Sequence, residues 1–292
     1  MMKVDEGRSD AQLLRIPYYS TATNDSREFL VYLPIGYDTE QDKRWPVILS
    51  LHGGGARGDG TEDLDHVMRN GPLFEAWIRH RDLPFVMIGP QLPVFGMENQ
   101  LQLRAGDPKP VRLASGPAPR QVAVRPSQPM VRAPDFTPSD FDVTEACGDD
   151  GPPGGWQLCN DDVIAMLDTV LKSFRTDPDR VYLTGLSYGG YGAWDMAATS
   201  PDRWAAVAPM CGDANLELVR KLAEVQMPLW IFQGGRDARV KPQWIYTVAN
   251  ALERAGHPSV RLTIHEDLGH DCWTRVYGGL DLYDWFLSHR RR

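Results

Sequence analysis

Clustered positive charge, long apolar runs and closely spaced cysteines are what this sequence has little of. It carries 31 basic against 39 acidic residues, for a net charge of −8. A nucleic-acid footprint needs clustered basic residues, and the cluster Arg290-Arg291-Arg292 reads as a solvated tail. No apolar run approaches the roughly 18 residues of a membrane helix. The opening stretch MMKVDEGRSDAQ lacks the apolar core of a signal peptide. A cytoplasmic protein is therefore expected, or a secreted one after removal of a leader. The four cysteines, Cys147, Cys159, Cys211 and Cys272, form no C-x-x-C pair, so neither a zinc site nor a thioredoxin-like motif is expected. There is no internal repeat.

What is present is an alternation of strand-like and helix-like segments. Residues 27–34 (REFLVYLP) alternate and are rich in β-formers. Residues 45–53 and 84–91 are continuous apolar runs of the kind buried parallel strands show. Strands are also expected at 181–184, 204–212, 227–235 and 260–266. Helical spacing marks 64–80, with Gly71-Pro72 as an interruption, and 160–174, with Asn160 as N-cap. Further helices are expected at 188–200, 241–255 and 279–289. Strand–helix alternation of this kind argues for a mostly parallel sheet with helices on both faces, in one α/β domain spanning 1–292. One stretch breaks the pattern. Residues 92–155 hold 11 prolines and no long apolar periodicity. A loop this long is uncommon inside a compact domain, so 93–155 is expected to be an insertion. Its place after a strand's C-terminal end makes it a candidate lid, because ligands bind at that edge of open α/β sheets.

The chemistry centres on Gly185-Leu186-Ser187-Tyr188-Gly189, with a β-rich run before it and a helical run after it. A serine at such a turn stands clear of the sheet edge, since the flanking glycines carry no side chain to collide with it. A serine hydroxyl is a weak nucleophile and needs a base. The chain order Ser, Asp, His places an acid and then a histidine after the serine. His270 lies in the loop after strand 260–266, whereas His265 lies within it, His257 follows a helix end and His289 is in the tail. Asp237 follows the strand 227–235, with Asp213 the alternative; Asp267 and Asp271 are too near His270 and read as solvated. An oxyanion needs backbone N–H donors. Tyr188 and the loop His52-Gly53-Gly54-Gly55 can supply them, and that loop lacks the Lys-Ser/Thr of a phosphate cradle. Trp194, two helical turns past Ser187, reads as core; Trp156 and Trp273 are candidate substrate contacts. The run GDGTEDLD (58–65) reads as a solvated turn with an N-cap at Thr61 or Asp63. Two cysteine pairings are open, Cys211 with Cys272 and Cys147 with Cys159.

On the stretches LHGGGARGDG, GPQLP, DPDRVYLTGLSYGGYGAWDMA, PDRWAAVAPMCG, QGGRDARV and GHDCWTRVYGGLDLYDWFLSHR, the chain resembles α/β-hydrolase esterases. The group is carbohydrate esterase family 1, with feruloyl and acetyl-xylan esterases, and the polyhydroxybutyrate-depolymerase-like proteins often called predicted peptidases. The resemblance covers 27–92 and 156–289. It implies an α/β-hydrolase fold and a catalytic set of Ser187, Asp237 and His270, with Gly54, Gly55 and Tyr188 near the oxyanion hole. It also implies a small or polysaccharide-linked ester substrate and no cofactor or metal. Residues 93–155 depart from the pattern, since related chains connect more briefly there. A serine peptidase using the same residues, and a non-catalytic binding protein of the same fold, are the alternatives.

Overall fold

The computed structural model describes residues 10–98, 107–113 and 152–291. Most of the expected insertion, and Cys147, lie outside them. Eight strands form one sheet: β1 (Gln12–Ser20), β2 (Asp25–Leu33), β3 (Trp45–Leu51), β4 (Val86–Gly89), β5 (Thr176–Leu186), β6 (Ala206–Met210), β7 (Leu229–Gly234) and β8 (Val260–His265). Their spatial order is β1-β2-β4-β3-β5-β6-β7-β8. β1 pairs antiparallel with β2, and β2 with β4; from β4 to β8 every pairing is parallel.

Alternate side chains of the sheet feed two cores. Val47, Leu49, Leu51, Val181, Leu183, Val207 and Ile231 face one side. Helices α1 (Asn160–Ser173), α2 (Tyr188–Thr199), α3 (Leu216–Ala223) and α4 (Pro242–Arg254) cover them. Leu30, Tyr32, Ile48, Met87, Tyr182, Trp230 and Phe232 face the other side. The turns at 64–78 and helices α5 (Trp273–Gly278) and α6 (Asp281–Leu287) cover these. Strands buried on both faces are why β3 and β7 read as unbroken apolar runs rather than as alternation.

Several local expectations are corrected. The interruption expected at Gly71-Pro72 is present, Gly71 having a φ of 90°, but the flanking parts of 64–80 are a 3₁₀ turn at Leu64–Arg69 and a π-turn at Phe74–Ile78 rather than α-helix. Neither Thr61 nor Asp63 caps the first of these with its side chain. Asp63 holds the N-cap position, and Asp59 orders the turn leading into it, its Oδ1 accepting from the N–H of Thr61 at 2.8 Å and of Asp63 at 3.0 Å. Asn160 is the first residue of α1 rather than its cap, and its amide donates to Asp195. β1, α3 and α5 were not expected. Leu14, Ile16 and Tyr18 of β1 pack on the core between the exposed Arg15, Pro17 and Tyr19. Pro17 is tolerated because β1 is the sheet's edge.

The parallel strands deliver their C-terminal ends to one edge. There the loop after β3 carries His52 to Gly55, the end of β5 carries Ser187, and the loops after β7 and β8 carry Asp237 and His270. The turn from β5 to α2 is sterically closed. A Cβ on Gly185 would stand 2.0 Å from the Gly189 carbonyl oxygen, and a Cβ on Gly189 would stand 2.0 Å from that of Leu51. Gly55, in contrast, faces open space. Gly189→Ala is therefore expected to lose about 3 kcal/mol or more of stability through overpacking against backbone. Gly55→Ala should stay within about 0.5 kcal/mol of the parent. Denaturant unfolding of the two variants beside the parent checks the contrast.

Candidate active site

Ser187 sits at φ 53°, ψ −120°, a left-handed backbone rarely adopted by a residue with a side chain. Backbone bonds hold it there. Its N–H donates to the Met210 carbonyl at 2.9 Å, and its carbonyl accepts from Gly190 and Tyr191 at 2.7 and 3.1 Å. As the residue preceding α2, Ser187 would ordinarily use its hydroxyl to cap the first helical turn. It makes no such bond. Its Oγ lies 2.9 Å from Nε2 of His270 instead.

The other imidazole nitrogen, Nδ1, lies 2.7 Å from Oδ2 of Asp237. Asp237 is the better-satisfied acid of the two candidates. Oδ1 accepts from the backbone N–H of Arg239 and Val240 at 2.8 and 3.0 Å, and Oδ2 also accepts from the Gln233 amide at 3.1 Å. Burial raises the pKa of this carboxyl, but the bond to His270, that ring's charge and the two N–H groups outweigh it, for a net lowering. An ionised carboxylate only accepts, so Nδ1 carries the proton and Nε2 presents a lone pair to the serine hydroxyl. Trp273 meets the His270 ring edge-on, centroids 5.1 Å apart, and its indole N–H donates to Asn70 at 3.3 Å.

A pocket of about 270 Å³ opens on Ser187 and His270. Its walls include Gly53 to Ala56, Leu186, Tyr188, Asn70 and Trp273, with Arg69 and Arg239 also lining it. Gly54, Gly55 and Tyr188 thus lie where the sequence places them, around the serine. Tyr188 is the first residue of α2, and the leading N–H groups of a helix have no intrahelical acceptor. The glycine loop is held from behind by His52. Leu92 N–H donates to its Nε2 at 2.9 Å, so Nδ1 bears the proton and donates to the Gly53 carbonyl at 2.7 Å. A fixed Gly53 carbonyl fixes the opposed Gly54 N–H of the same peptide plane.

Trp156 is a correction. It is 1% exposed and cannot meet a substrate; its indole N–H donates to the His52 carbonyl at 3.2 Å, and its ring lies edge-on to His52. It buttresses the loop instead. Trp194 is core, as expected, bonded to the Gly212 carbonyl at 2.9 Å. Asp267, expected to be solvated, is paired with Arg275 through two contacts of 2.7 Å. Arg57 was not singled out from the sequence. It is 1% exposed, its guanidinium lies 4.6 Å from the Tyr188 ring centre, and Nη1 donates to the carbonyls of Pro93 and Gly154. Burial lowers its pKa, partly offset by Tyr188. It joins both ends of the expected insertion to the residue beside Ser187. The signal available was the arginine closing the HGGGAR run, which no charge pattern distinguished from a surface residue. Cys211, Asp237 and His270 form the one potential metal-ligand cluster among the described residues. The facing atoms of Asp237 and His270 are already bonded to each other, so they offer no independent donor set.

Asp213, the alternative acid, does not reach His270. It is 2% exposed, and its Oδ1 accepts from the backbone N–H of the next residue, Ala214, at 2.8 Å. Burial, offset only by that bond, pushes its pKa up to about 7. The sign follows from linkage. The unfolded carboxyl ionises near pH 4 while the folded one keeps its proton, so folding loses stability as pH rises from about 4 to about 7. Asp213→Asn should remove this dependence, which amounts to at most about 4 kcal/mol. Unfolding free energies of parent and variant at pH 5 and pH 8 measure it: the variant should gain relative to the parent at the higher pH.

Comparison with known proteins agrees with this architecture. The model of the prolyl oligopeptidase family matches residues 156–223. Poly(3-hydroxyalkanoate) depolymerase C of Paucimonas lemoignei is 47% identical over 47 residues, which span 16% of this chain and 11% of that protein. Among solved structures, a thermostable esterase superposes with a TM-score of 0.60 at 19% identity, covering 96% of this chain and 63% of that one. A ferulic acid esterase from Anaeromyces mucronatus superposes with a TM-score of 0.54 at 18% identity, covering 98% and 93%. Among the described residues no helix is long and apolar enough to cross a membrane. The sheet order, the helices on both faces and these superpositions agree: the chain has the α/β-hydrolase fold.

Proposed function

We propose that the chain is a serine-dependent carboxylic ester hydrolase. One observation carries the reading: the Ser187 hydroxyl is withheld from the helix cap and faces an imidazole whose far nitrogen is held by a buried carboxylate. A serine used only as a turn residue has no need of this arrangement.

In this reading Ser187 attacks the ester carbonyl while His270 takes its proton at Nε2. Asp237 keeps the imidazole in that tautomer and stabilises the imidazolium. The charge that develops on the carbonyl oxygen is met by the N–H of Tyr188 and of Gly54 or Gly55. His270 then protonates the leaving alcohol. Water, deprotonated by the same imidazole, releases the acyl group from Ser187. The enzyme is regenerated with no metal or organic cofactor in the sequence of steps. The preferred acyl groups are acetyl, short-chain or feruloyl. The pocket of about 270 Å³ suits a small acyl group, and Trp273 offers an aromatic wall for a larger planar one. Likeness to a ferulic acid esterase supports the feruloyl case. The match of residues 156–223 to the prolyl oligopeptidase family supports a second reading, peptide hydrolysis by the same three residues.

Parent, Ser187→Ala and His270→Ala should be assayed on p-nitrophenyl acetate, methyl ferulate and a p-nitroanilide peptide. Each variant is expected to lose about 10⁴- to 10⁶-fold in kcat, and the double variant little more than either single, because the residues act as a unit. A folded Ser187→Ala protein with comparable ester turnover would overturn the proposal. Faster turnover of the anilide than of both esters would favour the peptidase.

A further inference from the structure

Cys211 and Cys272 are 61 residues apart in the chain, yet their sulfurs lie 3.1 Å from each other. Both are at most 1% exposed. With Leu268 they form a small cluster of their own, capped by Trp273 and separate from the two main cores. Each occupies a defined place. Cys211 follows β6 at φ 47°, and its N–H donates to the Phe232 carbonyl at 3.0 Å. Its neighbour Met210 supplies the carbonyl that holds the Ser187 N–H. Cys272 precedes α5, two residues beyond His270.

We propose that Cys211 and Cys272 are a disulfide-forming site that ties the His270 loop to the strand end supporting Ser187. A disulfide has sulfurs about 2.05 Å apart, so the pair must close by only about 1 Å. The covalent ring would contain β7, Asp237, β8 and His270. It would join the two halves of the Ser187–His270–Asp237 arrangement, since Met210 and Cys211 belong to the serine side and Cys272 to the histidine side. The oxidant required is a small disulfide such as glutathione disulfide. One thiolate attacks it and releases one thiol, giving a mixed disulfide. The second thiolate displaces the other. Two electrons and two protons pass in total from the cysteine pair to the reagent, which leaves as two thiols. The bond to Cys211, together with burial, pushes the Cys272 thiol well above its usual pKa, so the pair reacts during folding or when the loop opens rather than in the closed native state.

This proposal is independent of the hydrolase reading, and its test uses no activity. The full chain is refolded in a glutathione redox buffer, alkylated with N-ethylmaleimide and digested without reduction. A second portion is treated with dithiothreitol first. The expected result is one cross-linked peptide pair joining Cys211 to Cys272 in the oxidised portion. Its thermal midpoint by circular dichroism should be about 5 to 10 °C above that of the reduced portion. Cys272→Ser and, independently, Cys211→Ser should show no dithiothreitol-dependent shift. Alkylation of both residues after refolding in oxidising buffer would overturn the proposal. So would glutathione retained on either one, or either one linked to Cys147 or Cys159.

Discussion

A single steric constraint organises the functional edge of this molecule: the chain must turn from β5 into α2 within one residue. Gly185 and Gly189 allow backbone to touch backbone on either side of Ser187. The serine between them is left in a left-handed conformation that a side chain adopts only when its surroundings over-determine it. Here the determinants are the Met210 carbonyl on one side and the first N–H groups of α2 on the other. The same turn sets the direction of α2, the position of the Tyr188 N–H and the seat of Trp194 beneath them. A looser turn would let the hydroxyl cap its own helix, and His270 would have nothing to face.

The second organising feature is the unequal treatment of two buried carboxylates at the same sheet edge. Asp237 is surrounded by donors from Gln233, Arg239, Val240 and His270, so burial does not cost it its charge. Asp213 has one short-range donor and is pushed toward the neutral form. Chain order alone left both as partners for the histidine. What separates them is the loop after β7, where Asp237 folds back on its own following residues and turns its second oxygen outward. That difference depends on the path of four residues, and no composition or periodicity reveals it.

Much of the fold was legible because a parallel sheet covered on both faces demands continuous apolar strands, and β3, β4, β6 and β7 supply them. The three residues singled out by chain order are the three found hydrogen-bonded in line. The misreadings share a cause, the dominance of tertiary contacts over local pattern. β1 was not expected, and its Pro17 is accommodated because β1 lies at the sheet edge, where a missing N–H is tolerated. The apolar spacing of 64–80 is satisfied by two short irregular turns packed on the sheet. Asp63 takes the N-cap position expected of it or Thr61, but without a side-chain bond to the helix, while the Asp59 carboxylate orders the preceding turn through two N–H groups. Trp156 stands next to the motifs in sequence but under the glycine loop in space. Arg57 was indistinguishable from a surface arginine until the positions of Pro93, Gly154 and Tyr188 around it were known.

The central claim is that Ser187 becomes covalently acylated. The most direct measurement is the mass of the intact protein after incubation with a fluorophosphonate, followed by peptide mapping of the adduct. The account predicts one equivalent of label on the peptide containing Ser187, slowed severely by His270→Ala, which removes the imidazole 2.9 Å from the Ser187 hydroxyl. An unlabelled protein, or label on a residue other than Ser187, would contradict it.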